Sequence, residues 1–454
     1  MKGIVTPELV IGLLKAKGFA ELRKFLSELM PADIAALFGE LSDEREDFGE
    51  KELTLTFRIL PKDLAADVFA YMDADLQIML INGFSDRELS AVLDELYLDD
   101  TVDMIEDMPA NVVTRILKVA DKEKRKQINE LLKYPDDSAG SIMTTEFVYF
   151  YGTDTVKEAL TRIKAVGIVK ETVYTCYVTE QKKLIGSVSL LDLVVADANE
   201  LIKNVMDTTV ISVRSHEDQE KVANLFSKHD LAAVPVVDDE DRILGIITFD
   251  DVMDVMREEN AEDMAMMSAV VPVEGNYFDT SIFKHAAKRM PWLLILMLSA
   301  TITGAITNHF EALIASIPLL VAFMPMLTDT GGNCGSQTSS LIIQGMAVEE
   351  IQPKDFFRVV FKEFRVAIIC AAVLAAVNFG RIMLFYKNPL LAAVVSVALV
   401  CTVILSKLLG CVLPMLAKRL GIDPAIMSAP LLSTLVDSCS TLIFFSFASK
   451  LMAF

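Results

Sequence analysis

Apolar residues recur at helical spacing through residues 1–134, and alternating β-branched runs are scarce there, so this stretch is expected to be helical. A weak repeat runs through it. Leu29-Met30-Pro31-Ala32-Asp33-Ile34-Ala35 is echoed by Leu60-Pro61-Lys62-Asp63-Leu64-Ala65, and more faintly by Phe84-Ser85-Asp86-Arg87-Glu88-Leu89 and Met108-Pro109-Ala110-Asn111-Val112-Val113. Pro or Ser followed by a polar residue suits a helix start. Copies 24 to 30 residues apart point either to helix pairs stacked in a small solenoid or to an irregular bundle.

The period changes over residues 135–256, where short β-type runs alternate with amphipathic helices. The unit occurs twice, over 135–200 and 201–256. Ser141-Ile142-Met143-Thr144 corresponds to Asn204-Val205-Met206-Asp207. Leu184-Ile185-Gly186-Ser187-Val188-Ser189-Leu190-Leu191-Asp192 corresponds to Leu244-Gly245-Ile246-Ile247-Thr248-Phe249-Asp250-Asp251. The second pair reads as strand, Gly, strand, then an Asp entering a helix, where an acid suits the N-terminus. This tandem resembles a pair of CBS domains, which implies two βαββα units packed as a pseudo-dimer, with adenine nucleotides or cations as ligands in many such modules. A dimerisation module without a ligand is the other reading.

Residues 249–270 form an acidic connecting helix in which Asp250, Asp254, Glu258 and Glu262 fall at i, i+4 spacing, with Asp251, Glu259 and Asp263 on the neighbouring row. Like charges so placed destabilise a helix by roughly 0.2–0.5 kcal/mol per pair. Such a row is either a solvated face or one side of a divalent-cation site.

Long apolar runs follow: Pro291 to about Thr307, Ile314 to Met346, Val366 to Tyr386, Pro389 to Leu416 and Ala425 to Ala448. They predict five membrane spans within residues 284–454. Lys284, Lys288, Arg289, Lys354, Arg358, Lys362, Arg365, Lys418 and Arg419 flank one side, and Arg381, Lys387 and Lys450 the other. The positive-inside rule then places the N-terminal half in the cytoplasm and the C-terminus outside the cell (inner or plasma) membrane. The charged, amphipathic start, Met1 to Met30, has no signal-peptide core and agrees with that orientation.

Charge sharpens the division. Residues 284–454 carry 13 Lys and Arg against 8 Asp and Glu, a net charge of +5, whereas residues 1–283 carry 29 against 55, a net charge of −26. So acidic a soluble half argues against nucleic acid and for cations or basic partners. The six cysteines are scattered without a CxxC, His216, His229, His285 and His309 show no ligand spacing, and no catalytic grouping is visible, so no enzyme is expected.

The candidate chemistry lies in the spans. Asp437 is the only formal charge between Asp423 and Lys450. A mid-membrane carboxylate is costly and is normally kept facing water, a partner or an ion. The second run holds Pro325-Met326-Leu327-Thr328-Asp329-Thr330-Gly331-Gly332-Asn333-Cys334-Gly335-Ser336-Gln337-Thr338, small and polar enough to predict closely packed or broken helix beside a polar path. Asp329 is read either as a second cation site or as a structural group. Glu311 is read either as a cation attractor at the outer mouth or as a plain loop charge. Lys407 is expected to snorkel toward the cytoplasm; paired with Asp437, it would abolish the cation site.

Thr330-Gly331-Gly332-Asn333 with Gly335 and Gln337, Pro291-Trp292-Leu293-Leu294, and Pro430 followed by Thr434 and Asp437 resemble the MgtE family of magnesium channels. The order of the whole chain is similar too: superhelical all-α N domain, α/β CBS pair, connecting helix, five-helix transmembrane bundle. The resemblance implies a homodimeric, Mg²⁺-selective channel in the lipid bilayer. Its pore would use Asp437 with Asn333, Ser433 and Asp329. It would be closed by intracellular Mg²⁺ bound at Asp99, Asp103, Asp218, Glu220, Asp230, Asp251, Asp254, Glu259, Glu262 and Asp263, residues 249–270 acting as a plug. ATP binds the CBS region in some members. The chain departs from the family pattern at Asp329, Ala429 and Ser440. The alternatives are a broader divalent (Co²⁺) or ion-coupled transporter, or a nucleotide sensor on a membrane anchor.

Overall fold

The computed structural model describes residues 6–44, 48–106, 108–167, 170–272, 277, 280–348, 350–427 and 429–452. The chain divides into two compact units, residues 1–256 and 257–454, taken in turn below.

Among its described residues the first unit opens with ten helices: α1 (Pro7–Lys15), α2 (Phe19–Leu26), α3 (Pro31–Glu44), α4 (Glu50–Phe57), α5 (Lys62–Ala70), α6 (Ala74–Gly83), α7 (Asp86–Leu93), α8 (Leu98–Glu106), α9 (Ala110–Val119) and α10 (Lys122–Leu131). The repeated Pro or Ser stands at the start of α3, α5, α7 and α9. At α7 the start is a capping box: Glu88 N–H donates to Ser85 Oγ at 3.3 Å, and Ser85 N–H donates to Glu88 Oε2 at 2.8 Å. Those four helices stack in series, each on the one two further along, which is the solenoid of the two readings.

Two small sheets follow. The first CBS copy runs β1 (Tyr149–Tyr151), α11 (Val156–Val166), β2 (Thr175–Glu180), β3 (Lys183–Ser189), α12 (Leu190–Val195) and the short α13 (Ile202–Val205). The second runs β4 (Val213–Arg214), α14 (Gln219–His229), β5 (Ala233–Val237), β6 (Ile243–Thr248) and α15 (Phe249–Met267). In each copy the first two strands are parallel and the last two antiparallel. The copies exchange their leading segments: Thr144 bridges Ile246 of β6, and Asp207 bridges Ser187 of β3. That exchange explains the repeated glycine. A Cβ on Gly186 would stand 2.7 Å from Met206 Sδ, and one on Gly245 would stand 2.9 Å from Met143 Sδ and 2.5 Å from Thr144 O. The apolar core of the second copy is continuous with that of the solenoid, while the first copy has a core of its own around Phe150, Val178 and Val188.

Helix α15 runs from the first unit into the second. The second unit then holds α16 (Ile282–His309), α17 (Glu311–Ser316), a 3₁₀ stretch (Pro318–Phe323), α18 (Met324–Ala347), α19 (Phe356–Tyr386), α20 (Pro389–Leu420) and α21 (Ala429–Leu451). Four of these helices, α16, α19, α20 and α21, are long and apolar enough to cross a membrane. The fifth, α18, has 24 residues, about 36 Å at 1.5 Å per residue, and so has the length without the hydropathy. The run expected to begin at Ile314 is broken into α17, the 3₁₀ stretch and α18.

Glycine sets the spacing around α18. A Cβ on Gly410 of α20 would stand 2.5 Å from Gly335 O, and one on Gly331 would stand 2.7 Å from Val436 Cγ1 of α21. The Ser406 hydroxyl, freed from its own helix, donates to Gly331 O. This is small-residue packing of the kind that holds helices together where apolar burial gives no advantage.

Candidate functional site

Two sites stand out, one in each unit. In the first unit, Asp67 of α5, Asp99 and Asp100 of α8, Glu171 of the loop before β2, and Asp250, Asp251 and Asp254 of α15 line one cavity of about 400 Å³. Thr248 fixes the start of α15, its Oγ1 lying 2.5 Å from Asp250 Oδ1 and 2.6 Å from Asp251 Oδ2. Glu171 is brought in by its backbone, whose N–H donates to Glu146 O at 3.0 Å. The buried Glu171 Oε2 meets no hydrogen-bond donor among the described residues.

Burial and mutual repulsion make these acids hard to ionise. Burial, followed by the charges of Asp251 and Asp250, pushes the Glu171 carboxyl up to about 8. Asp100 goes to about 6 for the same reasons, and Asp251 to about 6, chiefly through burial. Asp99, only 6% exposed, is held well above the usual carboxylate range by burial and then by Asp251. Among the described residues no three His, Cys, Asp or Glu side chains converge closely enough to hold a bare metal ion. The chemistry that suits such a cavity is a hydrated divalent cation held through its waters, as Mg²⁺ prefers.

The expected regulatory set is dispersed. Asp99, Asp251 and Asp254 share the cavity, and Asp103 sits one turn further along α8, outside its lining. Asp218 caps α14, accepting from Glu220 N–H at 3.1 Å, and Asp230 ends the same helix in the left-handed conformation at φ 51°. Glu259, Glu262 and Asp263 lie on the part of α15 that belongs to the second unit. The sequence reading missed Asp67, Asp100 and Glu171; Asp100 adjoins a named residue, but no periodic pattern marks Glu171.

In the second unit, Asp437 of α21 lines a cavity of about 670 Å³ with Glu311, Thr303, Thr307, Asn308 and Thr434. Thr303 Oγ1 lies 2.8 Å from Ser438 Oγ and joins α16 to α21 beside it. Asp329 of α18 is within electrostatic reach of Asp437. Along α18, Asp329, Asn333 and Gln337 fall at i, i+4 and i+8, and all three are exposed on one outward face. Ser433 is half-buried against Gly332, and its hydroxyl donates to Pro430 O at 3.0 Å. Asn333 and Gln337 line a further cavity of about 470 Å³, which also takes in Lys407. Lys407 neither snorkels nor turns to Asp437: it is 6% exposed, and its Nζ donates to Thr338 Oγ1 at 3.1 Å.

Known protein families match separate stretches of the chain. Residues 324–447 match the family described as divalent cation transporter, residues 45–137 the MgtE intracellular N domain, and residues 139–199 and 202–258 the CBS domain. The chain is 32% identical over 445 residues to the magnesium transporter MgtE of Bacillus subtilis, covering 97% of this chain and 96% of that one. It is 35% identical over 436 residues to the magnesium transporter MgtE of Thermus thermophilus, covering 95% of each. Among solved structures, the soluble part of a magnesium transporter matches with a TM-score of 0.51 at 32% identity, over 56% of this chain and 98% of that one. The cytosolic domain of the Mg²⁺ channel MgtE in complex with ATP matches with a TM-score of 0.50 at 33% identity, over 54% and 100%. The chain belongs to the MgtE family of divalent cation transporters.

Proposed function

We propose that the protein is a Mg²⁺-selective channel that works as a homodimer in the cell membrane and is closed by Mg²⁺ on its cytoplasmic side. The carrying observation is the outward polar row of Asp329, Asn333 and Gln337 on α18, near the half-buried Asp437 of α21. Facing lipid, such a row would be costly. A second copy closing on it would turn it into the wall of a water-filled path with two Asp437 carboxylates. Their task is to hold Mg²⁺ through its hydration shell, weakly enough for release. Glu311, in the same cavity as Asp437, would concentrate cations at the outer mouth.

The acidic cavity of the first unit supplies the sensor. Its carboxylates repel one another, and a divalent cation relieves that repulsion, so Mg²⁺ favours the compact arrangement by linkage. Asp250, Asp251 and Asp254 carry the effect into α15, which continues toward the membrane half. The N-terminal half is cytoplasmic and the C-terminus outside, as the distribution of Lys and Arg indicates. The ATP-bound relative supports an adenine nucleotide as a second ligand, held by the CBS pair.

The test is flux of Mg²⁺, Ca²⁺, Mn²⁺ and Co²⁺ in reconstituted vesicles for the wild type and Asp437→Ala. Mg²⁺-preferring flux that disappears in the variant is expected. Equal flux of all four ions, or flux that survives in the variant, sinks the reading.

A further inference from the structure

Lys407 is the only charged residue between Pro389 and Lys418, and, though largely buried, it lines the same cavity as Asn333 and Gln337. Its Nζ donates to Thr338 Oγ1 at 3.1 Å, and Thr338 Oγ1 donates in turn to Glu363 Oε2 at 3.3 Å. Three helices are joined by this chain: α20, α18 and α19. A charge so deep in the bilayer is normally functional and has a nameable partner. Among the described residues no carboxylate forms an ion pair with Lys407, and the neutral Thr338 hydroxyl stands between it and Glu363, so its charge is only partly offset.

We propose that Lys407 is a fixed positive charge behind the polar row of α18 that restrains cation throughput, with Glu363 as its partial counter-charge. This rests on the reading that Asn333 and Gln337 face the conduction path. Lys407 lines the same cavity as Asn333 and Gln337, so a cation passing them feels its ammonium at short range, and a divalent ion feels twice the repulsion of a monovalent one. The charge therefore raises the barrier past the Asp437 site. Lys407 acts on the ion through the field alone and touches neither it nor Asp437.

The sign of the effect separates this role from simple bracing of the bundle. If the chain were only a brace, breaking it at any of its three members would lower flux. A field effect makes its two charged ends oppose each other. In reconstituted full-length protein at subsaturating Mg²⁺, Lys407→Met is expected to raise flux about threefold and Glu363→Gln to lower it about threefold, an order-of-magnitude figure for one charge at a screened distance. Lys407→Arg should stay near wild type, and so should Thr338→Val, which keeps both charges. Lower flux in Lys407→Met, or an equal fall in Thr338→Val and Glu363→Gln, overturns the proposal. Should Lys407→Met not fold, the contrast between Thr338→Val and Glu363→Gln still decides. Asp437→Ala runs alongside: if its flux persists, the pathway itself is wrong, whereas its loss beside an unchanged Lys407→Met rejects only the role of Lys407.

Discussion

Glu311, at the start of α17, and Asp437, in the first half of α21, face one cavity. The two acids differ in what surrounds them. Glu311 sits in the connection that follows α16, where water screens it, whereas Asp437 sits within an apolar helix. Substitution should therefore separate them. Asp437→Asn should lower Mg²⁺ flux by more than tenfold, the cost of losing over 1.4 kcal/mol at the barrier. Glu311→Gln should cost only a few-fold, at low ionic strength, and nothing measurable at high salt. Stopped-flow uptake with a Mg²⁺-sensitive dye at two salt concentrations reads both.

The acidic cavity predicts a pH effect of definite sign. Glu171 is pushed up to about 8, and Asp100 and Asp251 to about 6. Unfolded, these acids ionise near pH 4; folded, they keep their protons longer, so the folded state binds more protons between the two limits. Stability without divalent cation is then highest below about pH 4 with respect to these groups. It falls as pH rises toward about 8. Added Mg²⁺ should cancel the fall. Hydrogen exchange of α8 across that range, with and without Mg²⁺, checks it; protection that rises with pH in the Mg²⁺-free protein would contradict the assignment.

Within the same cavity, Glu171→Gln and Asp251→Asn each remove a carboxyl that would ionise to hold the cation. Both should move closure to higher cytoplasmic Mg²⁺, by roughly threefold to tenfold for about 1 kcal/mol of lost cation affinity. Asp218→Asn, which keeps an N-cap able to accept from Glu220 N–H, should leave closure unchanged. Half-closing Mg²⁺ concentration, measured by patch clamp, distinguishes the three.

Gly245→Ala tests the exchanged CBS segments. Its new methyl would meet Thr144 O and Met143 Sδ, and backbone yields little, so about 1–3 kcal/mol of destabilisation is expected. Gly304→Ala, where nothing lies within 4 Å of the new carbon, should be neutral. Thermal unfolding of the two variants in detergent gives the comparison.

Much of the fold could be read from local pattern, because the pattern is local in origin. Pro31, Pro61, Ser85 and Pro109 mark helix starts by their own backbone chemistry, and Gly186 and Gly245 repeat because each must admit a methionine from the other copy. Asp437 was visible as a charge in an apolar run. The cavity composition was not. Glu171 reaches Asp99 and Asp251 through a backbone bond to Glu146, a tertiary approach that leaves no periodic trace. Lys407 was visible as a charge, but its partner was not, since Thr338 lies on another helix and is one of many small polar residues there.

Feedback is tested most directly by Mg²⁺ uptake into vesicles holding the wild-type protein in one orientation, with Mg²⁺ on the side of residues 1–256 varied and the membrane potential clamped. Uptake should fall steeply as that Mg²⁺ rises. Uptake that is indifferent to it, or that increases with it, would contradict the proposed feedback.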